Sequence, residues 1–105
     1  MIKRVVFSPE AIDDTDKIID FLDENASPTV ALRFYDAIQK SAITIAETPG
    51  VGALRDFDRI ALRGMRMYVI NEFPNHLIFY LENKEVIEVI RVLDGRRDLP
   101  ELFNR

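Results

Sequence analysis

The chain has 105 residues, and we expect a single domain over residues 1–105. Hydrophobic residues make up 48% of it and charged residues 30%, an ordinary globular composition, and no apolar run reaches the ~18 residues of a membrane span. The sequence contains no cysteine and one histidine, which excludes disulfides, thiolate metal sites and a histidine-rich metal site. We therefore expect neither a metal nor a cofactor.

The net charge of −4 is unevenly distributed along the chain. Residues 1–54 contain five basic and nine acidic residues, whereas residues 55–105 contain nine of each. A protein that coats nucleic acid by itself needs a dominant basic field, which this chain lacks. We therefore expect no direct DNA binding, and we expect any surface for anions to lie in the second half.

The first elements in chain order are a strand and a helix. The apolar run 1–7 predicts a strand, and because it is too short for a signal peptide we expect a cytoplasmic protein. Ser8 and Pro9 form a helix start signal, and apolar residues then recur at three- and four-residue spacing as far as Leu22. This predicts a helix over residues 9–25. Its acidic residues are expected on the solvent face rather than around a metal: Asp13, Asp14, Asp16, Asp20 and Asp23.

A second helix is predicted over residues 28–47. Ser27 and Pro28 repeat the start signal, and an apolar stripe from Ala31 to Ile45 ends before the sequence TPG at residues 48–50. Two helices joined by so short a connection form an antiparallel hairpin that needs a surface to cover. The glycines of the following turn lack the lysine of a phosphate-binding loop.

The rest of the chain predicts strands separated by turn-length breaks. The predicted strands cover residues 60–63, 65–70, 76–81 and 86–92. This order predicts an α+β fold: a strand, a helical hairpin, then three to four antiparallel strands, with the helices packed on one sheet face. His76 is expected in a hairpin turn, exposed to solvent.

Apolar residues occupy both faces of these strands. Leu77 and Phe79 alternate with Ile78 and Tyr80, whereas a sheet covered on one face normally alternates apolar with polar residues. Two interpretations are open. Either the sheet wraps its own core and the C-terminal residues Leu99, Leu102 and Phe103 fold back as a short helical turn, or a partner chain covers the second face.

An abrupt basic turn follows the last strand, at residues 93–99 with the sequence LDGRRDL. Guanidinium groups held at the end of a rigid strand suit a planar or anionic partner. Six arginines are candidates for contacting a target: Arg59, Arg63, Arg66, Arg91, Arg96 and Arg97.

Five of the six candidate arginines also have a plain structural interpretation. Arg63, Arg66 and Arg91 are outward strand residues that can pair with Glu82 or Glu88, and such exposed pairs are weak. Arg96 and Arg97 can form salt bridges with Asp94 and Asp98.

Nearly the whole chain resembles the ParE/RelE family of toxins from bacterial type II toxin–antitoxin pairs. The strand-helix-helix start, the TPG turn and the sequence LRGMR at residues 62–66 contribute to the resemblance, and the specific element is IRVLDGRRDL at residues 90–99. ParE-like sequences often carry a histidine between the leucine and the glycine of that last motif, where this chain has Asp94.

The resemblance implies one of two activities. RelE-like members are ribosome-dependent messenger-RNA endonucleases, and they need basic residues on the central strands, a basic residue after the last strand and usually a C-terminal tyrosine. Arg96 or Arg97 fits the second requirement, but Phe103 stands near the tyrosine position, Leu77 where a strand arginine is expected and residues 68–70 where lysines are expected. ParE-like members lack that set and block DNA gyrase through a protein contact. The chain is more similar to these.

The resemblance also implies partners. These are DNA gyrase as the target and a cognate antitoxin of the ribbon-helix-helix type. Because the sheet is apolar on both faces, we expect the antitoxin's helical tail to lie across the helical hairpin and the sheet edge, with Phe34, Tyr35 and Tyr80 among the candidate contacts. Operator DNA is expected to be bound only through the antitoxin, and no membrane is involved. Such modules stabilise plasmids and inhibit growth. Three alternatives remain open: a RelE-like endonuclease, an inactive member that only binds the antitoxin, and an α+β domain outside the family.

Overall fold

The computed structural model describes residues 2–57 and 59–104, so Met1, at the start of the predicted first strand, lies outside the described residues. Strand β1 spans Arg4–Phe7. Helix α1 spans Pro9–Asn25 and helix α2 spans Pro28–Glu47, which are the predicted bounds.

Serine side chains cap both helices of the hairpin. Ser8 Oγ accepts the backbone N–H of Ala11 at 3.0 Å, and Ser27 Oγ accepts that of Val30 at 3.1 Å. Each cap satisfies a donor that the first helical turn leaves unpaired, and a proline follows each cap at the first helical position. The start signals in the sequence therefore act as predicted.

Five strands form one mixed sheet in the order β1-β5-β4-β3-β2. The strands after the hairpin are β2 (Ala53–Leu54), β3 (Arg66–Val69), β4 (His76–Glu82) and β5 (Val86–Asp94). Neighbouring strands are antiparallel, except that β1 pairs in parallel with β5. The predicted α+β fold, with the helical hairpin against a mainly antiparallel sheet, is confirmed.

The strand predicted over residues 60–63 is wrong. Ile60–Leu62 forms a single 3-10 turn in which Leu62 points into the core at 7% exposure while Ile60 is 76% exposed. Gly64 follows with a φ of +80°, a left-handed conformation that ends the segment. The edge strand that pairs with β3 on the side away from β4 is β2 instead, and its two residues are too few to produce a period-2 pattern.

The first core lies between the helical hairpin and the sheet. Phe34, Ile38 and Ile45 of α2 pack there against Ile78 and Tyr80 of β4, all at 2% exposure or less. Helix α1 adds Ala11, with Ile18, Ile19 and Leu22 at the margin. The hairpin thus buries the apolar stripes that the sequence predicted for both helices.

A second core covers the opposite face of the sheet. Helix α3, Leu99–Phe103, folds back so that Leu99 and Phe103 contact Leu77, Phe79 and Leu93. The loop before β3 adds Leu62, Met65 and Phe57. The chain covers this face itself, which confirms the fold-back interpretation. The expectation that a partner chain covers the face is wrong, because the face is already occupied.

Candidate functional site

The basic turn begins at the last residue of β5. The Asp94 carboxylate accepts the Arg96 backbone N–H at 2.9 Å, and it accepts Arg96 Nε at 3.0 Å and Nη2 at 2.5 Å. The Arg96 guanidinium holds the pKa of Asp94 well below its usual range. Arg96 is therefore paired, as the structural interpretation predicted, although 73% of its side chain remains exposed.

Arg97 differs from its neighbour. Its guanidinium makes no hydrogen bond or ion pair with the residues that the structure describes, and Asp98 instead accepts the Glu101 N–H at 3.2 Å and caps α3. The predicted pairing of Arg97 with Asp94 or Asp98 is therefore wrong. Arg97 lines a depression of about 150 Å³ beside Lys17 and Ile18 of α1.

Arg91 is paired with α1 rather than with a neighbouring strand. Its Nε and Nη2 donate to the Asp14 carboxylate at 2.7 and 2.9 Å, and Asp14 also accepts the Val92 N–H at 3.0 Å. Hydrogen bonding to Asp14 raises the pKa of Arg91. The predicted pairing with Glu82 or Glu88 is wrong, since Glu82 pairs with Lys3 at 2.9 Å.

Asp14 is correspondingly not a solvent-face residue, as only 11% of its side chain is exposed. The other four members of the predicted acidic face are exposed. Asp14 lies beside the part of β5 that extends beyond the end of β1, where the backbone groups along the edge of β5 would otherwise have no strand to pair with. Ser8 belongs to the same edge, because its Oγ donates to the Ile90 carbonyl at 2.8 Å. Two side chains of the α1 region thus continue the hydrogen bonding of β1 along β5.

Arg66 supports the turn after α2. Its Nη1 donates to the carbonyl of Gly52 at 2.7 Å and to that of Gly50 at 3.3 Å. Pairing of Arg66 with Glu82 or Glu88 is therefore not observed. The Arg66 guanidinium therefore holds a loop.

Arg59 and Arg63 remain exposed on either side of the 3-10 turn. Neither makes an ion pair within the described part of the chain, so the pairing predicted for Arg63 is also wrong. Arg59 and Arg91 line one cleft of about 300 Å³ together with Glu10. The six candidate arginines therefore do not form one site.

His76 is the first residue of β4 and is half-buried, so its prediction as a solvated turn residue is wrong. Its ring meets Phe34 edge-on with centroids 5.3 Å apart. Burial lowers the pKa of His76, and nearby Arg96 lowers it further while Asp94 opposes the change.

A cleft of about 310 Å³ joins His76 and Arg96 to the side of α1. Its α1 wall consists of Lys17, Ile18, Phe21 and Leu22. The sequence did not single out Lys17 or Phe21 as site residues. The sequence signal for this cleft is Phe21, a large aromatic residue that falls outside the apolar stripe of α1. In the structure it is 62% exposed, whereas the other apolar residues of the helix mostly face inward.

The candidate antitoxin contacts divide into buried and exposed residues. Phe34 and Tyr80 are 0% exposed, and the Tyr80 hydroxyl donates to the Pro49 carbonyl at 2.8 Å and accepts the Gly52 N–H at 2.9 Å. Their prediction as partner contacts is therefore wrong, because both belong to the core. Tyr35 is 50% exposed and reaches solvent.

Tyr35 lines a groove of about 350 Å³ between α1 and α2, which we call the hairpin groove. Leu32, 66% exposed, and Ile19 form its apolar lining, and Asp20 and Asp23 form an acidic rim. The groove combines an apolar floor with negative charge, which is the arrangement that suits a basic amphipathic helix.

A comparison with known protein families matches the helical hairpin, the sheet and the basic turn together. The family described as ParE toxin of type II toxin-antitoxin system, parDE, matches residues 5–99, from β1 to the start of α3. The chain belongs to the ParE toxin family.

The fold of this ParE toxin also matches a solved structure, "Chromosomal ParDE TA system from P. aeruginosa". The two chains share 17% identity with a TM-score of 0.72, over 89% of this chain and 96% of the other, and this likeness shows the fold. No curated protein matches the sequence.

Two further observations concern the described residues of this ParE toxin. None of its helices is long and apolar enough to cross a membrane. Within residues 2–57 and 59–104, no three His, Cys, Asp or Glu side chains are grouped so that they could hold a metal ion.

Proposed function

We propose that this chain is the toxin of a type II toxin–antitoxin module and that it inhibits DNA gyrase through protein–protein contact. The ParE family match over residues 5–99 carries the proposal, because it includes β5 and the basic turn after it. A contact inhibitor needs a rigid and accessible surface rather than a catalytic set. The basic turn supports this role, because Asp94 fixes its backbone while the side chains of Arg96 and Arg97 are exposed.

The alternative activity, cleavage of ribosome-bound message, requires side chains that transfer protons. Phe103, near the position where RelE-like members have a tyrosine, is 4% exposed and carries no ionisable group. Leu77, where a strand arginine is expected, is apolar and packs against α3. These residues support an inhibitor without enzymatic activity.

Purified protein tests the choice between gyrase and the ribosome. We expect the wild-type chain to inhibit DNA supercoiling by gyrase and to leave ribosome-bound messenger RNA uncut. Message cleavage with unaffected gyrase would instead assign the chain to the RelE-like activity. Harmless expression in the absence of an antitoxin would indicate a member that only binds its partner.

The double variant Arg96→Ala with Arg97→Ala tests the surface. We expect it to abolish growth inhibition and supercoiling inhibition while thermal stability stays nearly unchanged, because removing exposed charge costs little. Arg4→Ala with Lys84→Ala is the matched control, since it removes two exposed cations elsewhere on the sheet. A fully toxic Arg96/Arg97 variant would move the proposed active surface to the exposed Arg59 and Arg63.

We further propose that a cognate antitoxin of the ribbon-helix-helix type neutralises this toxin by placing a helix in the hairpin groove. The apolar lining favours an apolar stripe on that helix, and the acidic rim favours basic residues beside the stripe. The antitoxin rather than this chain would contact operator DNA, because the net charge here is −4. Both proteins would act in the cytoplasm, where gyrase and its DNA are found.

A further inference from the structure

The two arginines of the basic turn have different surroundings, although they are adjacent in sequence. Asp94 binds Arg96 through three donors, and the Asp94 side chain is 27% exposed beside the 73% exposed Arg96. One carboxylate thus accepts hydrogen bonds from both the backbone N–H and the guanidinium of the residue two positions later, which closes a small hydrogen-bonded ring. Arg96 is thereby held against its own turn.

The backbone of the turn is fixed as well. The Gly95 N–H donates to the Asn75 carbonyl at 2.7 Å, and the Arg97 N–H donates to the Asp94 carbonyl at 3.2 Å. A Cβ on Gly95 would lie 2.8 Å from Leu77 Cδ1, so the turn packs directly on the start of β4. The direction in which residue 97 leaves the turn is therefore set by residues 94–96.

No carboxylate in this turn neutralises Arg97. Asp94 is engaged by Arg96, and Asp98 accepts the Glu101 N–H at the start of α3. Arg97 instead borders the depression that Lys17, Asp14 and Asp94 also line. Each of these three is engaged elsewhere: Lys17 by Asp13 at 2.8 Å, Asp14 by Arg91 at 2.7 Å and Asp94 by Arg96. Among residues 2–57 and 59–104, Arg97 thus has an exposed guanidinium with no ion-pair partner, at the end of a rigid strand.

We propose that Asp94 is a positioning residue, which holds Arg96 as a brace of the turn and leaves Arg97 as the guanidinium that contacts the target. The inference rests on the proposed function, because it assumes that the basic turn is the surface used against the target. It assigns unequal roles to two residues that the sequence presents as a pair.

Growth inhibition on expression is the first readout, because it does not depend on which target is hit. We expect Arg97→Ala to reduce inhibition at least tenfold, and Arg96→Ala and Asp94→Ala to reduce it by smaller and similar factors. We expect the Asp94→Ala and Arg96→Ala double variant to match either single variant, because Asp94 acts through Arg96. Lys84→Ala is the control and should inhibit growth as the wild type does.

Nuclear magnetic resonance gives a readout that needs no target. The Nε–Hε signal of Arg96 should be protected from exchange in the wild type and lose this protection in Asp94→Asn, while that of Arg97 should be unprotected in both. Loss of chemical-shift dispersion across the whole spectrum of a variant would identify misfolding. Asp94→Asn is the substitution that disturbs the turn least, because it conserves the shape of the side chain.

The outcomes separate the inference from the proposed function. A wild type that inhibits growth but not gyrase overturns the gyrase target and leaves the roles of Asp94 and Arg97 to be decided by the growth data. Full inhibition by Arg97→Ala, or multiplicative losses from Asp94→Ala and Arg96→Ala, would overturn the inference. A wild type that inhibits nothing would overturn both.

Discussion

At the scale of single residues, His76 illustrates how the surroundings decide what a side chain does. Its position between two turn-forming segments predicts solvation, but α2 and the β3–β4 turn bring Phe34 and Phe73 to within 5.3 and 6.4 Å of its ring. Asp94 and Arg96 face it from the end of β5, and Lys17 lines the same cleft from α1. His76 is thus a half-buried neutral ring beside charged neighbours.

The stability of the protein should fall between pH 7.5 and pH 5.5. Burial lowers the pKa of His76 in the folded state below the ordinary histidine value of 6.5, so the unfolded chain takes up the proton first as the pH falls. The stabilisation that comes from keeping His76 neutral is present in full above pH 6.5, and it is lost as the pH falls below 6.5 through the pKa of His76 in the folded state. Urea denaturation at several pH values measures the effect.

His76→Phe is the matched variant for this measurement, because it conserves a ring against Phe34 and removes the titration. The chain has no other histidine and no cysteine, so little else titrates in this window. We expect the variant to show a nearly flat stability between pH 7.5 and pH 5.5. An equally steep loss in the variant would assign the effect to carboxylates.

Asp14 and Arg91 show where periodicity is insufficient at this scale. The apolar spacing of α1 predicts the exposure of four of its acidic residues, because helical geometry alone determines which side they occupy. It did not predict that Asp14 would meet Arg91, which is 77 positions later in the chain. That pairing depends on how α1 lies across the edge of β5, which is tertiary information.

At the scale of elements, the turn from Pro49 to Leu54 connects the two layers. The Tyr80 hydroxyl joins β4 to both ends of the 3-10 turn Pro49–Val51, and Arg66 of β3 holds the same turn from its neighbouring strand. Burial raises the pKa of Tyr80, which therefore stays protonated and able to donate. The turn is accordingly a fixed part of the sheet rather than a loose connection.

Gly52 should be intolerant of any side chain for this reason. A Cβ there would lie 2.7 Å from Tyr80 Oη and 3.0 Å from the Met67 carbonyl, whereas no atom lies within 4 Å of a Cβ on Gly50. We expect Gly52→Ala to lower the free energy of unfolding by about 1–3 kcal/mol through overpacking. Gly50→Ala, the control two residues away, should leave it unchanged or slightly higher.

Urea denaturation of the two alanine variants checks this prediction. Equal stabilities would mean that Tyr80 moves aside at no cost and that its hydroxyl bonds do not hold the turn.

The elements that the sequence predicted well are those whose signal is local. Caps, prolines and apolar stripes define both long helices, and the spacing of Leu99, Leu102 and Phe103 predicts α3. Residues 60–63 were predicted as a strand because three apolar residues precede an arginine, but only Leu62 is buried there. Strand β2 has no local signal, since its pairing with β3 is set by the turn before it.

At the scale of the whole molecule, the charge asymmetry of the sequence becomes a division between surfaces. Asp20 and Asp23 of α1 border the hairpin groove, while the basic turn lies at the end of β5 near Asp14 and Lys17, on a different side of α1. A partner with basic and apolar residues and a target that favours guanidinium groups can therefore be recognised by separate faces.

Leu32→Asp should weaken antitoxin binding without unfolding the protein. Leu32 is 66% exposed in the hairpin groove, so the substitution removes apolar contact area for the antitoxin helix but little from the core. We expect the dissociation constant for the cognate antitoxin to rise at least tenfold, a loss of about 1.4 kcal/mol or more. Isothermal titration calorimetry with the purified antitoxin measures it.

Ile60→Asp is the control for this experiment, because Ile60 is 76% exposed on the 3-10 turn before β3 and does not line the groove. Its affinity for the antitoxin should equal that of the wild type. Unchanged affinity of Leu32→Asp with reduced affinity of Ile60→Asp would place the antitoxin on the opposite side of the sheet.

The parallel pairing of β1 with β5 also determines when the sheet can be completed during synthesis. Val5 pairs with Ile87, and Ser8 reaches Ile90 across 82 positions of the chain. Contacts of such long sequence separation form late, because a long loop must close before they contribute. During synthesis the N-terminal strand and both long helices are complete before the strand that pairs with β1 has been translated. The growing chain therefore cannot present its basic turn on a finished sheet until β5 has been translated and has paired with β1, so the surface proposed to contact the target forms only after this long loop has closed.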